Sequence, residues 1–333
     1  MILKVGTDCS GIEAPIQALS SLCKKYSKKG QQITIDHKFS SDIDPYCRQS
    51  ILANYSPEIL YQDMKKRNYN ELPRLDVYVC GFPCQPFSSS GLRKGTEDSR
   101  AKIFPYVVKT IKKTIPTIFI LENVAGIITI HNGTYFKYII DSLESIRYAC
   151  SEQSSVLNNT NGLNGQRCYN VYYKVLDTKE YGIPQNRKRV FIVGILKSKE
   201  QTEFCFPKPI KCRSIMTYID KSVTHKESYN KTYSNKKKLF KDATFANIGT
   251  IHPDQKASLG PKYSSTLVSS SDLWCIPMHR RATIKECLSL QGFPKDFKQV
   301  VSDTQMKRQI GNSMSVNVLV HLFESCFKSV GLL

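Results

Sequence analysis

The chain has 333 residues, 41% of them hydrophobic, and 48 lysines and arginines against 28 acidic residues, a formal net charge of +20. That length supports a large core, and no apolar run reaches the roughly eighteen residues of a membrane-spanning helix. Twelve cysteines without a CxxC pair argue against a disulfide scaffold and for reduced thiols in an intracellular protein, while the positive excess points to a polyanionic partner.

In chain order, short strand-like runs alternate with amphipathic stretches. The opening MILKVGTDCSG carries no pattern of a secretory leader. Strands are predicted at 2–8, 33–42, 75–81, 117–123, 172–177 and 189–196, and helices at 12–25, 44–54, 101–113 and 134–147. This alternation implies an α/β fold: a doubly wound, mostly parallel sheet with helices on both faces. Ligands of such sheets bind beyond the carboxyl ends of the strands, where Gly6-Thr7-Asp8, Ser41-Asp42, Gly81-Phe82-Pro83-Cys84 and Glu122-Asn123 fall. Residues 151–170 read as a surface loop. From about 198 to 277 the alternation gives way to Lys, Ser, Tyr and Thr, which suggests a smaller, irregular, basic domain. Periodicity returns at 315–327, an amphipathic helix with Val316, Leu319, Val320 and Phe323 on one face. The expected organisation is therefore a catalytic domain at 1–197, a recognition domain at 198–277, and a segment at 278–333 that completes the first.

Cys84 sits between Pro83 and Pro86 at the end of a predicted buried strand, VYVCGFPCQPFSSSG. Rigid backbone at a strand end presents a side chain to a cleft. A cysteine nucleophile reacts as the thiolate, so cationic neighbours or a helix N-terminus would lower its pKa.

GFPCQPFS (81–88), EDSR (97–100), LENV (121–124), YGIPQNRKRVF (181–191), RRATIKECLSLQGFP (280–294) and GNSMSVNV (311–318) resemble, in order and spacing, the motifs of the DNA cytosine-5 methyltransferases of compact bacterial or viral type. The resemblance covers nearly the whole chain outside 198–265. It implies the S-adenosylmethionine-dependent methyltransferase fold with a smaller target-recognition domain, and a chemistry that explains the residue types. Cytosine C5 is a weak nucleophile until a thiolate adds at C6 and a proton donor meets the charge that builds at N3. By resemblance Cys84 is the nucleophile and Glu122 the group at N3, which requires a carboxyl pKa raised by burial. Arg189 lies on the cytosine O2, Arg187 near the cysteine and a phosphate, and Asn123 orients the loop carrying Cys84. Alternation in QNRKR would turn both arginines to one face.

The cofactor so implied is S-adenosyl-L-methionine, and no metal is expected. Asp42 suits ribose hydroxyls and Asp63 matches the family's contact to the adenine amine. Cys9, Gly11, Ile12, Ile43, Met64, Pro83, Ile103, Asn312 and Met314 match other positions of the cofactor pocket. The first motif departs from the family: Cys9 and Ile43 stand where aromatics are usual, and Glu13 is unexplained. Lost stacking surface predicts weak cofactor binding.

The implied partner is double-stranded DNA, from which the cytosine must be flipped to expose C6. Gln85, Ser88 and Arg100, in a Gly- and Ser-rich segment suited to a lid, together with Thr266 and Leu267, match DNA-contacting positions. The compact recognition domain predicts a target of roughly four to six base pairs. A monomer is expected, in the cytoplasm of a prokaryote or wherever the DNA lies in a viral host. A cognate restriction endonuclease would be a further partner. The rival reading is a tRNA cytosine-5 methyltransferase. That branch carries Cys-Phe-Thr, whereas this chain has Cys205-Phe206-Pro207 at a different place. A non-catalytic DNA-binding relative would have lost Cys84, Glu122 or Arg189.

Overall fold

A computed structural model describes residues 1–83, 103–148, 165–228, 240, 242–248 and 261–333. Seven strands form one sheet: β1 Ile2–Asp8, β2 Thr34–Ser41, β3 Ile59–Tyr61, β4 Val77–Cys80, β5 Ile118–Val124, β6 Tyr169–Asp177 and β7 Lys188–Leu196. Their order is β3-β2-β1-β4-β5-β7-β6. The pairings from β3 through β5 are parallel, and β7 runs antiparallel to both β5 and β6. Strand order reverses between β1 and β4, the place where doubly wound sheets bind ligands.

Strand alternation divides the core between two faces. Val77 and Val79 of β4 point to one face, with Leu3 and Val5, and pack with α1 (Ala14–Ser27) and α7 (Val316–Ser329). Tyr78 and Cys80 point to the other, toward α3 (Phe104–Thr114) and α4 (Thr134–Glu144). The C-terminal helix α7 lies along α1, where Glu324 accepts from Lys25 Nζ and Tyr26 Oη, both at 2.8 Å. The last fifty residues thus supply part of the first half's core.

Local signals account for the helix starts. Asp44 caps α2 (Pro45–Asn54) by accepting from Tyr46 N at 2.9 Å. Thr283 and Glu286 form a reciprocal capping box on α5 (Ile284–Gln291), a helix the sequence reading missed together with α6 (Asp303–Asn312). The three-residue β3 was missed too, being too short to show a period.

A second sheet, β8 Phe245–Asn247, β9 Leu273–Cys275 and β10 Arg280–Arg281, is antiparallel and has its own small core around Phe240, Ala246 and Trp274. The expected border at residue 277 falls inside the β9–β10 hairpin, so we propose that the recognition domain runs to about residue 282.

Candidate active site

Four strand ends build the site. After β4, Gly81-Phe82-Pro83 leads toward residue 84; Cys84, Gln85, Ser88 and Arg100 lie outside the described residues. The mount itself is fixed from β5: Asn123 Nδ2 donates to Phe82 O at 2.9 Å, and Asn123 Oδ1 accepts from Val124 N at 2.9 Å. Gly81 lies close under Met314 and Glu122: a Cβ there would sit 2.9 Å from Met314 Cε, the flexible end of that side chain, and 3.7 Å from Glu122 Oε2.

Glu122 is buried, at 8% exposure, and its Oε1 has no hydrogen-bond partner among the described residues. Arg189 Nε lies 3.3 Å from that oxygen without the alignment of a hydrogen bond. Burial raises the Glu122 pKa, and the charges of Arg189 and then Arg187 oppose the rise. Arg189 has its own pKa lowered by burial, against the pull of Glu122. A raised carboxyl pKa in a buried, cation-flanked setting is the perturbation that marks candidate functional groups.

Arg187 corrects an expectation. Its guanidinium donates to three carbonyls: Leu267 (2.6 Å) and Gly311 (3.2 Å) from Nη1, and Ser313 (2.6 Å) from Nη2. It is fully enclosed, and its pKa is pushed down to about 9, first by burial and then by Arg189. It clamps residue 267 to the turn after α6, so its terminal nitrogens are taken up by backbone carbonyls instead of facing a phosphate. Leu267 is corrected with it: the side chain is buried, its N–H donates to Gln185 Oε1 (3.2 Å), and its carbonyl is held by Arg187. Thr266 Oγ1 donates to Asn186 O. The missed residues here are Gln185 and Gln291. Gln185 Nε2 donates to Leu290 O (2.7 Å) and Gln291 Oε1 (2.8 Å), and Gln291 Nε2 donates to Ser313 O (2.6 Å). The YGIPQNRKR motif therefore joins three parts of the chain, which only their tertiary partners reveal.

On the cofactor side, Asp42 Oδ2 accepts from Gly11 N (2.7 Å) and Oδ1 from Asp44 N (2.9 Å), and burial raises its pKa. A narrow cavity between β1 and β4 is lined by Cys9, Gly11, Gly81, Asn312 and Met314. A larger one, about 400 Å³, is lined by Ile43, Tyr61, Asp63 and Arg67. The two flank Asp42 in sequence, through Gly11 bonded to it and Ile43 beside it. Cys9 and Gly11 take φ of +50° and +57°, which turn the chain sharply out of β1. Pro83 and Ile103 are partly buried on either side of residues 84–102. Ile12 is a correction, fully buried in the core of the α1 face, so its side chain lines no cleft. Met64 is likewise buried, its carbonyl accepting from Tyr69 Oη at 2.8 Å. Glu13 now has a place: it is buried, and its Oε1 accepts from Thr7 Oγ1 and Ser40 Oγ, both at 2.5 Å. It ties the end of β1 to β2.

Sequence reading also missed what lies beneath the larger cavity. Asp8 accepts from both terminal nitrogens of Arg67 (2.8 and 2.7 Å) and from Tyr78 Oη (2.8 Å). The Arg67 guanidinium is enclosed by the rings of Phe39, Tyr61 and Tyr69, at 4.9, 5.4 and 4.9 Å from their centroids. Arg67 ends a KKR run that reads as surface charge, so no local signal marked it.

A family model described as C-5 cytosine-specific DNA methylase matches residues 25–328. The chain belongs to that family. Among curated methylases, M.BsuFI of Bacillus subtilis is 32% identical over 84% of this chain, which spans 64% of that relative's length. M.SsoII of Shigella sonnei is 30% identical over 88% of this chain and 74% of its own. Both are described as Type II methyltransferases. The fold of this cytosine methylase is shared with a DNA modification methyltransferase described from an E. coli prophage, at a TM-score of 0.67, 18% identity and 99% coverage of each chain. It is also shared with a mutant of Spodoptera frugiperda DNMT2, at a TM-score of 0.66, 18% identity and coverage of 98% and 99%. The α/β methyltransferase fold is thereby established. Among the described residues no helix is long and apolar enough to cross a membrane.

Proposed function

We propose that this methylase flips a cytosine out of duplex DNA and attacks its C6 with Cys84, making C5 the methyl acceptor. The observation that carries the reading is Glu122: a buried carboxyl with a raised pKa, ion-paired with Arg189 but with no hydrogen bond to its Oε1 among the described residues, one residue before the asparagine that holds the Phe82-Pro83 mount. The protonated carboxyl donates to N3 as the thiolate adds, so the ring gains the C6–S bond without building a full negative charge. Arg189, beside Glu122, holds the carbonyl O2 and supplies a cation where negative charge develops. The C5 proton leaves to water, after which the C6–S bond breaks and the thiolate is restored.

The residues present fit S-adenosyl-L-methionine, which when bound supplies an electrophilic methyl group. Asp42 would take the ribose and Asp63 the adenine amine, with Cys9, Gly11, Asn312 and Met314 around the methionine end. Tyr61 lines the same cavity as Ile43, and we assign to it the aromatic surface missing from Ile43. Its position supports ordinary rather than weak cofactor affinity.

We further propose duplex DNA as the substrate, a short specific target, a monomeric intracellular enzyme and, as in the Type II relatives, pairing with a cognate restriction endonuclease. The test is trapping on duplex DNA containing 5-fluorocytosine with S-adenosylmethionine, run beside total tRNA. A covalent adduct on DNA that Cys84→Ala abolishes is expected. No adduct on DNA, or one that survives the substitution, overturns the reading. Bisulfite mapping of DNA from expressing cells then gives the target.

A further inference from the structure

On the α1 and α7 side of the molecule lies a cleft of about 1140 Å³ that shares no lining residue with the cofactor cavities or with Glu122, Asn123, Arg187 and Arg189. Four stretches of chain wall it: the turn at 181–183, residues 210–221, α5 with the turn that follows, and the start of α7. Lys211, Arg213, Lys221, Lys285 and Lys295 line it, all of them exposed. None of the five forms an ion pair with a described residue; the ion pairs of this region join other cations. Two carboxylates also face the cleft. One of them, Glu286, has both oxygens held by Arg280 at 2.8 Å, and so is no counter-ion for the five; the other, Asp220, is bonded to Ser222 and feels the charges of Arg280 and then Lys285, so it offsets at most one of them. His321 has its pKa lowered by burial and carries little charge at neutral pH. The floor is apolar, with Ile183, Phe293 and Val316 buried.

Five cations gathered around one concavity, with Asp220 offsetting at most one, repel one another unless an anion joins them. The charges are long, exposed side chains rather than a buried polar cradle, and the volume exceeds the roughly 300–1000 Å³ of most small-molecule pockets. Both features suit an extended polyanion better than a compact one. We propose that this cleft is a second phosphate-binding site, which takes nucleic-acid backbone beyond the segment at the catalytic centre. It is coupled to that centre by chain continuity: Gly182 and Ile183 line the cleft, and Gln185 and Arg187, two to five residues on, clamp the recognition segment. The proposal rests on the reading of the chain as a DNA enzyme.

Each backbone phosphate neutralised steepens the salt dependence of binding by about 0.9 in log–log slope. The test compares full-length protein with Lys211→Ala/Arg213→Ala/Lys221→Ala on duplexes of about one and a half and about four helical turns, by fluorescence anisotropy across a salt series. The triple variant is expected to lose roughly two to three units of slope on the long duplex and to match the parent on the short one. A Lys285→Ala/Lys295→Ala variant, altered on other walls of the cleft, decides the matter should the first fail to melt cooperatively. An unchanged slope on the long duplex overturns the proposal, and equal losses on both duplexes place the cations in the primary DNA surface instead. Inorganic tripolyphosphate that raises the Tm of the parent alone, with DNA slopes unchanged, assigns the cleft to a compact anion and overturns it as well. Failure of the underlying DNA reading would show separately, as no binding of the short duplex by the parent.

Discussion

Glu122 shows how one residue holds two requirements in tension. Its burial costs stability whenever it is ionised, and that same cost favours the protonated form that the proposed reaction uses. Because its folded pKa is raised, the folded state binds more protons than the unfolded chain. Stability therefore falls as pH rises from the ordinary carboxylate pKa through the raised one. Glu122→Gln removes this loss, so its Tm should exceed the parent's at neutral pH, with the gain shrinking on acidification; scanning calorimetry across pH checks the sign. The same variant should lose about 10²–10⁴-fold in methyl transfer, the usual weight of a general acid. At the cofactor end, Tyr61→Ala should raise the KM for S-adenosylmethionine about tenfold with little change in kcat, as loss of roughly 1.4 kcal/mol of stacking implies. An unchanged KM would return the pocket to the weak-binding expectation drawn from Ile43. The strand-end placing of Glu122 and Asn123 was legible because LENV is a local motif. Tyr61 was not, since a tyrosine at the end of a three-residue strand has no sequence mark that separates a pocket wall from a core ring.

At the scale of elements, the strands predicted at 2–8 and 189–196 agree with β1 and β7 to within a residue, because a strand buried in the middle of a sheet is a largely continuous apolar run between turn residues. The helices α5 and α6 are short and their burial is shared with the recognition segment, so one-sided periodicity is weak in them. Their role is to carry Gln291 and Gly311 to the clamp. Gly311 lets that helix end touch the recognition segment: a Cβ would lie 2.2 Å from the carbonyl carbon of Val268. Gly311→Ala should therefore cost about 1–3 kcal/mol through forced backbone movement. Arg187→Met should cost at least as much by leaving buried carbonyls unpaired. Limited proteolysis should show faster cleavage within 198–282 in both variants, while cuts elsewhere keep the parent's rate. Equal acceleration throughout would mean that the clamp serves global stability and not the seating of the recognition segment.

Across the whole molecule, composition and motif order were enough for the class of protein and the α/β architecture. These depend on short-range patterns: alternation of apolar residues, prolines flanking a cysteine, a carboxylate at a strand end. Sequence spacing did not reach the partners of buried charge. Arg67 in its KKR run and Arg187 in QNRKR look alike as surface cations, yet one is paired with Asp8 among three rings and the other holds three carbonyls. Burying a guanidinium is favourable only where distant segments meet to satisfy it, and that meeting is a property of the folded chain alone. The cationic cleft has the same origin, for its five charges come from segments separated by as much as eighty-four residues. The chain by itself determined which chemistry is carried; the tertiary structure decided which charges serve it, which hold the fold, and which are left facing solvent.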